Sequence, residues 1–172
     1  GRPNFILWHF DLCSFLNRNR MIDTLTMMAI DDIQREYVMK LIRCYMDESQ
    51  HHLIEGCVYP KQAIPKLIRQ YFPNTLLNHS QIRAKIEDTK HGGEGTTENF
   101  IDKILYHFSE LRLSRAIIND REIMSTMLYK LAPEFRSLIC QLEQCRTLKQ
   151  FIEILITKDR YLVWGRHQIE LL

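Results

Sequence analysis

The sequence predicts an all-α protein of about eight short helices joined by tight loops. Three observations carry that reading. Apolar residues recur at a period near 3.6 in every long segment. No segment combines strict apolar–polar alternation with turn signals. Cap residues or prolines stand at the ends of the periodic stretches.

The elements follow in order. "NFILWHFDLCSFLNRNR" carries Phe5, Trp8, Leu12, Phe15 and Leu16 on one stripe, with Asn4 as its cap. In "DDIQREYVMKLIRCYMDES", Ile33, Tyr37, Val38, Leu41, Ile42 and Tyr45 form one apolar face. Asp31 and Asp32 stand where carboxylates favour a helix start. In "YPKQAIPKLIRQYFPN", Pro60 suits a first turn, Pro65 is expected to strain or split the helix, and Pro73-Asn74 ends it. "TTENFIDKILYHFSELRL" places Phe100, Ile101, Ile104, Leu105, Phe108 and Leu111 on one face, capped by Thr96 or Thr97. The next helix starts at an Asn119 or Asp120 cap and presents Ile123, Met124, Met127, Leu128 and Leu131. Pro133 breaks it, and a short helix resumes from Glu134 to Leu142. Thr147 then caps "LKQFIEILITKDRYLVW", where Leu148, Phe151, Ile152, Leu155, Ile156 and Leu162 repeat the pattern.

Composition narrows the function. The 172 residues suffice for one ordinary domain or two small lobes, and 45% hydrophobic with 26% charged residues is a globular balance. Lys plus Arg number 23 against 21 Asp plus Glu. Split after Gly95, the chain has 12 against 11 and then 11 against 10, so neither half is a basic nucleic-acid module. The five cysteines include no Cys-x-x-Cys, and are expected to be reduced thiols packed as small apolar groups. No apolar run approaches the ~20 residues that span a bilayer, so no membrane role is expected. The chain opens with Gly and shows no signal-peptide pattern. A piece of a longer polyprotein or multidomain chain, in a reducing cytoplasmic setting, is the expectation.

Three of the six glycines fall within "HGGEGTTENF", residues 91 to 100. A phosphate loop would need a Lys after the glycines to hold phosphate, and none is there. A Rossmann glycine pattern is missing as well. The glycines read as a turn or helix end that needs positive φ. The adjacent His51 and His52 point in different directions on a helix, and no His-Glu-x-x-His occurs. His79 lies in a polar stretch and His107 between two core positions, so both read as surface or rim residues. Carboxylate pairs such as Asp31-Asp32 and Glu87-Asp88 read as helix-end charges, not as an acid–base pair. No catalytic, cofactor-binding or metal-ligating residue is assigned, and no cofactor is expected.

The opening "LWHFDLCSFLNRNRMIDTL", Leu7 to Leu25, resembles the start of the Gag capsid region of copia-type LTR retrotransposons. The second half is similar to the same family: a long helix, a turn with an Asp, then Leu131, Pro133 and Phe135, and a closing helix introduced by Thr147-Leu148. Together these motifs cover nearly the whole chain. The chain departs from the pattern in two ways. Ala132 separates Leu131 from Pro133 where the family has Leu-Pro, and the downstream zinc knuckle is absent from these residues.

The resemblance implies a two-lobed helical capsid fold, with an N-terminal lobe over 1–73 and a C-terminal lobe over 74–172. It implies a non-enzymatic structural protein, of an active element or a domesticated gene, that self-assembles into virus-like particles. RNA cargo would be captured by a region outside this chain. It also places the glycines in a turn inside the second lobe, resembling the major homology region of retroviral capsids. Gly92, Glu94, Phe100, Asp102 and Lys103 match that motif, while His91 stands where a Gln is expected. First-lobe helices would line rings of subunits, and second-lobe helices would pair neighbours. Tyr161, Val163 and Trp164 are candidate interface residues. The rival expectation is a monomeric helical adaptor that binds a partner peptide in a groove.

Overall fold

The computed structural model describes the backbone of residues 2–27, 31–92 and 96–169, and the side chains of 5–27, 31–92 and 96–162. Among the described residues the chain is all-α, with no strand. The α-helices are α1 (Arg2–Arg18), α2 (Asp32–Cys44), α3 (Pro60–Tyr71), α4 (Leu76–Asp88), α5 (Thr97–Leu113), α6 (Asp120–Tyr129), α7 (Ile139–Glu143) and α8 (Leu148–Ile169). Tighter 3-10 turns cover Ile22–Leu25, Glu48–Ile54 and Pro133–Leu138. The chain divides into two compact units, Gly1–Thr75 and Leu76–Leu172, parted just after Pro73-Asn74.

In the first unit the turn Ile22–Leu25 packs against α1, α2 and α3. Its buried Thr24 donates its hydroxyl to the Met21 carbonyl at 2.7 Å, so the one polar side chain buried here is satisfied among the described residues. Buried apolar residues of this unit include Phe5, Leu12 and Leu16 from α1, Val38, Met39 and Ile42 from α2, and Ala63, Ile64 and Leu67 from α3. Phe72, 1% exposed, closes the end of α3, with its ring 5.8 Å from that of Phe5. Each of these side chains other than Ala63 contributes about 1.5–3 kcal/mol by leaving water.

Local chemistry accounts for the helix ends. Asp31 caps α2 by accepting from the Gln34 N–H, and Asp47 accepts from the Ser49 N–H at 2.9 Å. The Gln62 side chain reaches back to the Val58 and Tyr59 N–H groups at 3.0 and 3.1 Å, holding the start of α3.

Two expectations fail here. Asn4 is no cap, because α1 already runs from Arg2, with Pro3 tolerated in the first turn. Pro65 does not split α3, which continues unbroken to Tyr71. The bond it forfeits is the one to the carbonyl of Lys61, at the solvated start of the helix, where a carbonyl can tilt out to water.

The second unit is organised around α5, which packs against α4, α6 and α8. Phe100, Ile101, Ile104, Phe108 and Leu111 present its buried face. Around them gather Ile82 and Ile86 from α4, Ile123 and Met127 from α6, Phe135 and Leu142, and Phe151 and Leu155 from α8. Thr96 caps α5 through the Asn99 N–H at 3.2 Å, Asn119 caps α6 through the Glu122 N–H at 2.8 Å, and Thr147 caps α8 through the Gln150 N–H at 3.2 Å.

Candidate assembly faces and the turn before α5

The turn that follows α4 is held by a histidine. Gly92 has φ +85°, and a Cβ built there would fall 3.1 Å from the Ala132 Cβ. The backbone conformation favours glycine, and a side chain there would have to push the Ala132 methyl back by a few tenths of an ångström. Beside it, His91 Nδ1 lies 3.0 Å from the Ala132 backbone nitrogen, and Nε2 lies 3.0 Å from the Thr97 hydroxyl oxygen. A backbone N–H can only donate, so Nδ1 must be a bare lone pair. That fixes the neutral tautomer with the proton on Nε2, donated to Thr97.

The imidazole also sits against two rings, 4.8 Å from Phe100 and 4.6 Å, edge-on, from Phe135. One side chain thus ties the turn, the first residue of α5 and the segment entering Pro133–Leu138. Burial lowers the His91 pKa, opposed by the nearby negative charges of Glu134 and Asp159.

Of the motif residues assigned from the sequence, Gly92 and Phe100 meet around His91. Asp102 and Lys103 are exposed on α5, away from this knot. Glu94, with Gly93 and Gly95, lies outside the described residues. His91 had one legible sign, its presence where the motif expects Gln, since Gln and His can each offer an acceptor and a donor.

A second polar cluster lies on the seam of α4 and α5. Glu110 is 1% exposed, and its Oε2 is 2.9 Å from His107 Nδ1 and 3.6 Å from Lys85 Nζ. Asn78 donates to the Ser114 hydroxyl at 2.8 Å, which donates in turn to the Glu110 carbonyl at 2.8 Å. His79 Nε2 lies 3.1 Å from the Ser114 carbonyl oxygen. A buried carboxylate persists only when paired in this way, and the cluster holds two helices together. His79 and His107 are thus joined to it, not loose rim groups.

Two surface features remain. In the second unit a groove of about 570 Å³ between α7 and α8 is bordered by Leu138, Gln141, Cys145, Ile154 and Tyr161. Tyr161 is 68% exposed. Val163 and Trp164 lie on the α8 backbone, but their side chains lie outside the described residues.

In the first unit a groove of about 500 Å³ lies between α1 and α2, bordered by Leu7, Asp11, Phe15, Arg18, Leu41 and Tyr45. In its walls and along the same face of α2 stand apolar residues expected in the core. Ile33 is 77% exposed and Tyr45 69%, while Tyr37 and Phe15 are also exposed. The single face predicted for α2 is therefore two: Val38, Met39 and Ile42 turn inward, and Ile33, Tyr37, Leu41 and Tyr45 form a second stripe outside the core. Trp8, which also lines this groove, buries an indole N–H with no partner among the described residues.

The cysteines are free thiols, but they are not uniformly packed. Cys57 is buried, whereas Cys44 and Cys140 are exposed. Among the described residues no cluster of three or more His, Cys, Asp or Glu could hold a metal ion, and no helix is long and apolar enough to cross a membrane.

Among the described residues this is an all-helical, two-unit polypeptide, with a glycine turn before the central helix of its second unit and apolar side chains left outside the core of its first. The model of the gag-polypeptide family of LTR copia-type elements matches residues 4–162, and the chain belongs to that family. No curated protein and no solved structure matches it significantly.

Proposed function

We propose that this chain is the capsid-forming part of a copia-type Gag, a non-enzymatic structural protein that self-associates in the cytoplasm into a particle packaging RNA. The observation that carries this reading is the set of large apolar side chains left outside the core of the first unit, on a member of the gag family. A surface stripe of that kind marks a contact with another molecule. Weak contacts suffice in a closed shell, because each subunit makes several at once. With a net charge of +2 spread evenly, RNA capture falls to a region outside this chain. The second lobe contributes Tyr161, Val163 and Trp164 as a candidate interface, and the turn around Gly92 holds that lobe in shape.

Sedimentation velocity over a concentration series, followed by electron microscopy in concentrated salt, tests the reading. Association that rises with concentration, with rings or shells on the grid, is expected, and salt should favour it by screening like charges between crowded subunits. A chain that stays monomeric throughout would sink it. The groove between α1 and α2 favours one alternative, a monomeric adaptor that takes an amphipathic peptide.

A further inference from the structure

We propose that the groove between α1 and α2 seats a second copy of this chain, with the two α1 helices antiparallel so that Asp11 of each faces Arg18 of the other. The inference rests on the assembly reading above and names the contact surface. Both α1 and α2 pack on the turn Ile22–Leu25, and the cleft left between them is walled by Leu7 and Phe15 on one side and Leu41 and Tyr45 on the other. Leu7 and Phe10 are 62% and 68% exposed.

The charges choose the occupant. Asp11 and Arg18 both border the groove, seven residues apart on one helix, or about 10 Å along its axis. Asp11 has no ion-pair partner among the described residues, and Arg18 makes only a 3.4 Å contact from Nε to the Ser14 carbonyl. One acid and one base on the same face make that face complementary to itself. A two-fold axis passing between Ser14 and Phe15 pairs Asp11 with Arg18 at both ends and brings the two Phe15 side chains together near the centre. The small Ser14 beside them allows close approach. The result is an apolar centre with a charged rim, the usual anatomy of an isologous contact. A parallel arrangement would set Asp11 against Asp11 and Arg18 against Arg18, which like-charge repulsion disfavours.

Charge exchange in the whole chain provides the test. Asp11→Arg and Arg18→Asp are both at exposed positions and should leave far-UV circular dichroism unchanged. Each variant alone should associate about ten-fold or more weakly than the unaltered chain in sedimentation, because its rim now repels itself. A one-to-one mixture of the two, and the Asp11→Arg/Arg18→Asp double variant, should recover to within about three-fold, since both restore opposite signs across the contact. The deficit of each single variant should narrow in about 1 M salt, where charges are screened beyond ~3 Å.

Single variants that associate like the unaltered chain would overturn the proposed surface while leaving assembly standing. So would a mixture and a double variant no better than the singles. An unaltered chain that never associates would remove both the surface and the assembly reading.

Discussion

The two units differ in how they treat polar side chains. In the second, polar side chains go inside and are paired: Glu110 with His107 and Lys85, Asn78 with Ser114, Thr97 with His91. Both units leave apolar side chains outside, Leu76, Leu77, Ile117, Tyr129 and Tyr161 in the second and Leu7, Phe10, Ile33, Tyr37 and Tyr45 in the first, where they gather along α1 and α2. A satisfied buried network specifies one packing and tolerates little change. An uncovered apolar stripe adds nothing to the fold of its own unit, so its reason lies beyond that unit. The second unit adds a paired polar interior that fixes its shape, and the first gathers its exposed apolar residues along two neighbouring helices.

Truncation should separate the core from the exposed stripe most strongly. Phe135→Ala removes a fully buried ring that also backs His91, and should cost the second unit about 3–5 kcal/mol in urea unfolding. Tyr45→Ala should change stability by no more than about 0.5 kcal/mol while weakening association. Equal destabilisation by both would make the stripe a core element.

Next in size is the histidine knot. His91→Ala leaves the Ala132 N–H without its acceptor and should cost about 1–3 kcal/mol. His91→Gln, which offers a carbonyl to the same N–H, should lose less. If the two variants melt together, the hydrogen bonds contribute nothing and the ring packing is the whole effect.

Acid gives a smaller, graded effect. The His91 pKa is lowered below that of an unfolded histidine, so the unfolded chain binds the extra proton first. The stability this contributes is complete above the unfolded value, about 6.5, and is lost as pH falls through the lower folded value. The melting temperature of the second unit should therefore fall faster between pH 7 and about 5 in the unaltered chain than in His91→Gln. His9 in the first unit is likewise lowered by burial, so a matching His9→Gln series separates the two units. Parallel curves for the unaltered chain and His91→Gln would exclude titration of His91 as a contributor.

The smallest effects belong to Asp102→Ala and Lys103→Ala. Both side chains are exposed, and stability should move by no more than about 0.5 kcal/mol.

Much of the helical frame was legible because each cap is a local event. Thr96, Asn119 and Thr147 hold the N–H groups three residues on, which a short window of sequence contains. Periodicity served α5 and α8 well, where a single stripe meets a single core. It misled at α2, because Ile33, Tyr37, Leu41 and Tyr45 keep the helical period as faithfully as Val38 and Ile42 do, and a period does not say which stripe is covered. Pro65 was misjudged because the cost of a proline depends on how near it lies to the helix start. His91 and Glu110 depend on partners 41 and 25 residues away, Ala132 and Lys85, and no local window reveals such pairs.

Gly92 and Ala132 restrict one another across a gap of 3.1 Å. Any other L-residue at 92 meets the left-handed backbone penalty as well as the methyl of Ala132, while enlarging residue 132 drives a side chain toward the turn. Shrinking 132 to glycine would open the space and leave the backbone penalty in place, so a second change there relieves a first one at 92 only in part. For a chain accumulating random substitutions, these two positions behave as a one-way lock. Residue 132 can drift among the smallest side chains, whereas every L-residue at 92 carries a backbone cost, least for Asn and Asp.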